Sequence, residues 1–173
     1  MRIGIFFLTA FLFVTISSCK SSKAADFNDS LVRAERRAFE IIVGKEGSGE
    51  KKLKYLEKDD YKNALKTVDQ QAKEFDSLIA DIQKLSTDGI PEGEQLKTAS
   101  LAYYQSLKEL HVYDRKEIEQ QALLRSLKDD ELKNAQDKLL TLARQKKTLY
   151  NAVYEKEALL HTASEAFKTA NSF

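Results

Sequence analysis

The segment from Glu94 to Phe173 contains neither glycine nor proline. Because these two residue types interrupt helices and strands, their absence predicts long, unbroken elements over this half of the chain. After residue 18, glycine occurs only in two short stretches, "GKEGSG" at 44–49 and "DGIPEG" at 88–93, and the second also holds Pro91, the single proline. The chain is therefore expected to consist of a few long elements joined by turns.

Apolar residues show which element this is. They recur with alternating three- and four-residue spacing from Leu132 to Ala170, and only Lys146 and Lys156 interrupt the series. This spacing is typical of a helix that packs one face against its neighbours along its whole length. Similar series cover 61–82 and 27–41, and no strand-like alternation competes with them.

The sequence predicts an all-α fold, an antiparallel up-down four-helix bundle with a shorter first helix. The helices are expected at 26–43, 50–86, 94–127 and 130–171, with Asp60 as the candidate cap of a helix that restarts at Tyr61. Asp129 or Asp130 is the candidate N-cap of the last helix, after a turn near residue 129. The alternative is one unbroken helix over 94–171, about 117 Å long, in an extended coiled coil.

The composition of the chain excludes several classes of function. A chain of 173 residues suits one domain, and 28 Lys and Arg residues against 27 Asp and Glu residues leave no basic patch for a nucleic acid. The single cysteine, Cys19, excludes an internal disulfide and a zinc site built on several cysteines. We expect packing alone to stabilise the fold.

The first 18 residues have the layout of an export signal. Arg2 precedes the uncharged run "IGIFFLTAFLFV", and small polar residues follow it. A run of about a dozen apolar residues is too short to remain as a membrane-spanning helix. We expect residues 1–18 to be removed as a signal peptide.

The junction "ISSC", residues 16–19, resembles the lipobox of bacterial lipoprotein precursors. This resemblance implies that Cys19 is lipidated and becomes the new N-terminus, which anchors the protein to a membrane. Residues 19–25 would then be anchor and tether, and 26–173 the bundle domain. Lys20, next to the cysteine, suggests the outer membrane within this family, whereas the face of that membrane stays open. The alternative is an ordinary secretory signal with an incidental cysteine.

Candidate chemical sites are sparse. His111 and His161 lack the Glu-x-x-His spacing of di-iron bundles, and Glu157 with His161 has no third metal ligand. The stretch "GKEGSGEKK" matches no phosphate-binding loop and is predicted to be a solvated turn. We therefore expect no enzymatic activity, no metal and no cofactor.

Two polar features of the predicted helices are candidate sites. If the last two helices form a hairpin, Lys146 lies near Asp114, either as a buried pair that fixes helix register or as charges at the bundle margin. The same pairing brings Tyr103, Tyr104, Tyr150 and Tyr154 together, either as a partner-binding patch or as the edge of the core.

Three functions fit these observations. The first is a membrane-anchored, non-enzymatic lipoprotein whose helical domain binds an unknown protein partner at the cell envelope. The second is a lipid or small-ligand carrier or chaperone that uses an apolar cleft near the polar break at 114–121. The third is an enzyme with an unfamiliar site.

Overall fold

The computed structural model describes residues 22–173, so the predictions for the signal peptide and for Cys19 lie outside the described residues. Five helices follow one another: α1 (Ser22–Val43), α2 (Ser48–Leu56), α3 (Tyr61–Gln83), α4 (Gly93–Leu124) and α5 (Asp129–Asn171). No strand occurs between residues 22 and 173. The predicted all-α antiparallel four-helix bundle is confirmed.

The first arm of the bundle consists of two helices, α1 and α2. Both run antiparallel to α3: Arg37 of α1 pairs with Asp81, and Lys52 of α2 bonds to Gln71. The prediction of one helix over 50–86 is therefore wrong, because the chain reverses direction at 57–60. Asp60 caps α3 as expected, since its carboxylate accepts a 3.1 Å hydrogen bond from the backbone N–H of Asn63.

The glycine-rich junction of α1 and α2 is a close backbone contact and not the solvated turn that its sequence predicts. Gly44, Ser48 and Gly49 are all buried. A Cβ atom on Gly49 would overlap the backbone carbonyl oxygen of Ile42, so only glycine fits there. This contact lets α2 begin beside the last turn of α1.

A turn at 125–128 separates α4 from α5, so the alternative of a single helix over 94–171 is wrong. The predicted carboxylate cap of α5 is also wrong: Lys128 occupies the N-cap position and no side chain caps this helix. Asp129 is instead the first residue of α5 and has a φ of 49°. The reversal uses this left-handed conformation in place of a glycine.

The main core lies where α1, α3 and α4 meet, with α5 closing one side. It contains buried residues from all four arms, including Ala38, Ile41, Phe75, Leu78, Leu107 and Val153. A smaller cluster of Ala64, Val68 and Ile118 fills the end near the turns at 57–60 and 125–128.

A third cluster closes the opposite end of the bundle. Ala24 and Phe27 of α1 pack with Ile90, Leu96 and Phe167, and all five are buried. Ser22, the first described residue, is already helical, and Ala24 is fully buried within this cluster. Residues 22–25, predicted to be part of a tether, belong to the folded bundle.

Candidate functional site

A buried polar network links the four arms in one layer of the bundle. Lys52 of α2 donates a 3.0 Å hydrogen bond to the side-chain oxygen of Gln71 on α3. The same ammonium forms an ion pair with Asp114 of α4. Asp114 also accepts from Lys146 of α5 at 2.7 Å. One carboxylate thus connects the first, third and fourth arms.

The structure brings together Lys146, which interrupts the apolar stripe of α5, and Asp114, which lies at the polar break in the stripe of α4. Lys146 also lies 2.5 Å from a carboxylate oxygen of Glu117, one turn further along α4. These three side chains are 15–22% exposed, so they lie at the edge of the core and not at the surface. The positive charge that interrupts the apolar stripe of α5 is therefore neutralised by the negative charges of α4.

The charges of this network shift the pKa values of its members. Burial raises the pKa of Asp114, but the positive charges and hydrogen bonds of Lys52 and Lys146 outweigh burial and lower it below its usual value. Burial lowers the pKa of Lys146, and hydrogen bonds to Asp114 and Glu117 outweigh that effect and raise it. Both residues are held in their charged forms.

His111 lies beside the network and stacks on Phe75, with ring centroids 5.9 Å apart. Burial, followed by the positive charge of Lys52, lowers its pKa to about 4. Asp114 acts in the opposite direction but does not compensate for burial. His111 is therefore a partly buried and uncharged residue at neutral pH.

Sequence reasoning missed Lys52 and Gln71. In α2 the charged Lys52 is 5% exposed, whereas its neighbour Leu53 is 57% exposed. The apolar pattern of this short helix points to the wrong face, because the helix buries the residue that reaches Asp114. No signal in the sequence alone distinguishes Lys52 from the surrounding lysines.

An apolar groove of about 450 Å³ runs along one side of the bundle. Its floor is α4, and its walls are α1 and α5. Leu107 lies on the floor, Val32 and Phe39 on the α1 wall, and Leu160 on the α5 wall. The expected cleft near 114–121 is wrong in position, because the polar network fills that level and the groove lies beside residues 96–107 of α4.

Two exposed carboxylates line this groove, one on each wall. Glu35 belongs to the α1 wall and Glu157 to the α5 wall. Partial burial raises the pKa of Tyr103 on the floor, and the negative charges of Glu157 and Glu35 raise it further. Neither carboxylate forms an ion pair or a side-chain hydrogen bond with any residue in 22–173. The groove therefore carries negative charge above an aromatic floor.

The four predicted tyrosines do not form one surface patch. Tyr104 is 5% exposed and belongs to the main core, where burial raises its pKa. Tyr103 is half-buried and packs edge-on against it, with ring centroids 5.2 Å apart. Tyr150 and Tyr154 are 46% and 65% exposed. They lie on the face of α5 that carries Glu157, at three- and four-residue steps along the helix.

The remaining candidate residues, Glu157 and His161, lie next to each other on α5. Glu157 and His161 both line the groove. Within residues 22–173, no group of three His, Cys, Asp or Glu side chains could hold a metal ion. In the same range no helix combines the length and the apolar character that crossing a membrane requires.

No protein-family model, curated protein or solved structure matches the chain.

Proposed function

We propose that the chain is a non-enzymatic binding module of the bacterial cell envelope, anchored by lipid on Cys19. The resemblance of "ISSC" to a lipobox supports the anchor. Several acyl chains on one residue would hold a protein on a membrane, at about 0.8 kcal/mol per buried methylene. By the same family resemblance, Lys20 favours the outer membrane.

One structural observation carries this proposal. In the sequence only Lys20 and Ser21 lie between Cys19 and Ser22, the first residue that the structure describes, which already belongs to α1. The first turns of α1 are packed into the cluster of Ala24, Phe27 and Phe167. A lipid at Cys19 would therefore hold this end of the bundle against the bilayer and direct the turns at 57–60 and 125–128 away from it.

The surface along α1 and α5 supports a binding role. Phe39 is 61% exposed, and Val43, Tyr154 and Leu159 are also exposed. Exposed apolar and aromatic side chains beside a groove are typical of surfaces that bind other molecules. A small-ligand carrier is the second candidate, and the volume of the groove favours it.

Mass spectrometry of the protein from its native membrane fraction tests the anchor. We expect an N-terminus at Cys19 that carries acyl groups, and we expect Cys19→Ser to move the protein into the soluble fraction. Lys20→Ser is the matched control and should stay in the membrane. An unmodified, soluble wild-type chain would contradict the proposal.

Protease added to intact cells then tests the location. Loss of the domain would mean a surface protein, and protection would mean the periplasmic face. Both outcomes agree with the anchor, so the mass of the N-terminus alone decides whether it exists.

A further inference from the structure

We infer that the groove between α1 and α5 binds a small amphiphilic cation, a molecule with an apolar body and an amine or ammonium head. The inference goes beyond the anchored module proposed above, since it concerns residues 22–173 and does not depend on lipid at Cys19. It rests on the shape of the groove, on its apolar walls and on the charge of its rim.

α1 and α5 contact each other near one end of the groove. There the rings of Phe27 and Phe167 lie 5.6 Å apart. Beyond that contact the two helices form separate walls, and α4 lies between them as the floor. The resulting volume of about 450 Å³ lies within the range of small-molecule sites.

The negative charge of the groove favours a positively charged ligand. At the other helix interfaces, acidic side chains meet basic ones: Asp69 with Arg115, Asp76 with Lys108, and Asp81 with Arg37. Glu35 and Glu157 have no such partner within residues 22–173. Among the described residues, no Lys or Arg lines the groove, and His161 is the one lining residue that can become positive. A fatty acid or an anionic phospholipid would thus be repelled, whereas a cation would be attracted.

The floor adds a second attraction for a cation. Tyr103 lies close enough to both carboxylates for their charges to raise its pKa, so a positive head between Glu35 and Glu157 would also lie near its ring. Aromatic faces attract ammonium groups, and the attraction grows as the group loses water. The apolar body would lie along Val32, Phe39 and Leu160.

The test is an NMR and calorimetric titration of the chain from residue 19, made with Cys19→Ser so that it carries no acyl group. Decyltrimethylammonium, kept below its micellar concentration, is the probe, and decyl sulfate and decanol are the matched anionic and neutral probes. We expect saturable one-to-one binding of the cation, with shifts at Tyr103, Glu35 and Glu157. The cation should bind at least tenfold more tightly than either matched probe.

Substitutions distinguish a specific site from nonspecific binding of the probe. Glu35→Gln with Glu157→Gln should weaken binding of the cation about tenfold, as expected for two partly solvated charges. Asp137→Asn, 20 residues or about 30 Å from Glu157 along α5, should change nothing. Phe39→Ala should weaken binding, whereas Leu53→Ala on α2, of similar exposure, should not.

Three results would overturn the inference. The first is no binding of the cation, and the second is equal or tighter binding of decyl sulfate or decanol. The third is saturable binding of a basic amphipathic helical peptide at the groove when the alkylammonium does not bind, which would assign the surface to a protein partner. Failure of the lipid anchor would leave all three measurements unaffected.

Discussion

Lys146 on α5 lies 2.7 Å from a carboxylate oxygen of Asp114 on α4, and the other oxygen of that carboxylate binds Lys52 of the first arm. Asp114 is therefore the single acidic group between two partly or fully buried ammonium groups. Its removal would leave both without their shared partner, a loss that costs more than the pair itself contributes.

We predict that Asp114→Ala lowers the free energy of unfolding by about 3 kcal/mol, because it leaves Lys52 buried without a counter-ion. Urea denaturation followed by circular dichroism measures this. Asp76→Ala is the control, since it removes an exposed partner of Lys108 and should cost less than about 1 kcal/mol. Equal losses in the two variants would show that burial of the network has no energetic consequence.

A role of this network in helix register is tested by removing its charges from α2, α4 and α5. We expect Lys146→Met combined with Asp114→Leu, Glu117→Gln and Lys52→Met to retain much of the stability of the wild-type chain, since apolar replacements of buried ion pairs are often tolerated. We also expect light scattering to show a mixture of oligomeric states, because helix register is no longer specified. A variant with unchanged melting and an unchanged oligomeric state would argue against this role.

The stability of the bundle should fall as the pH is lowered from about 6.5 to about 4. His111 has its pKa lowered to about 4 in the fold, so between these values the unfolded chain binds a proton that the folded chain does not. Stability is then complete above the unfolded pKa and is lost as pH falls toward the folded one. The full effect of this single group is about 3 kcal/mol.

Urea denaturation at several pH values measures this loss. His111→Phe, which keeps a ring against Phe75, should remove most of the dependence between pH 6.5 and 4.5, whereas His161→Gln on the exposed face of α5 should not. Below pH 4.5 Asp114 also makes stability fall with pH. Its pKa is lowered in the fold, so its contribution to the free energy of unfolding is lost as pH falls through the pKa of the folded state. An unchanged profile in His111→Phe would mean that other groups cause the dependence.

Phe167 and Phe39 offer a comparison of one residue type in two environments. Phe167 is fully buried between Phe27 and Phe173, so Phe167→Ala should cost about 3–5 kcal/mol of unfolding free energy. Phe39 is mostly exposed, and Phe39→Ala should change stability by no more than about 0.5 kcal/mol. A large loss in Phe39→Ala would mean that the groove is closed in solution.

The glycine at the junction of α1 and α2 and the glycine in the turn before α4 should differ in their response to alanine. Gly49→Ala should cost about 2–3 kcal/mol, because the new methyl group must push α1 and α2 apart. Gly89 has a φ of 73° but open space around it, so Gly89→Ala should cost about 1 kcal/mol from backbone strain alone. Thermal melting compares the two variants, and the reverse order would contradict the close contact at the junction.

The long helices could be predicted because their apolar residues follow the period of the helix over many turns. The stripe of α5 from Leu132 to Phe167 is the face that packs in the structure, and its interruption at Lys146 matches the interruption of α4 at Asp114. Periodicity over that length specifies both the element and the register of the hairpin. Short-range signals were enough to find the cap at Asp60 as well.

The restart of the second predicted helix at Tyr61 could be predicted from Asp60, but the reversal of direction at 57–60 could not. The reversal at 57–60 contains neither glycine nor proline, and Asp59 supplies the left-handed conformation with a φ of 55°. The helix that precedes it has only 9 residues and buries Lys52, so its apolar pattern carries little information. The position of the groove was also inaccessible, because it depends on how far apart α1 and α5 lie and not on either helix alone.

The chain enters the bundle and leaves it at the same end, where Phe27 meets Phe167. α5 alone, with 43 residues, extends about 65 Å from that end to the turn after α4. A fluorophore inserted at 125–128 and another attached after residue 173 would therefore report two heights that differ by most of the length of the molecule. The two heights would therefore show how the bundle is oriented on a surface that holds its N-terminal end.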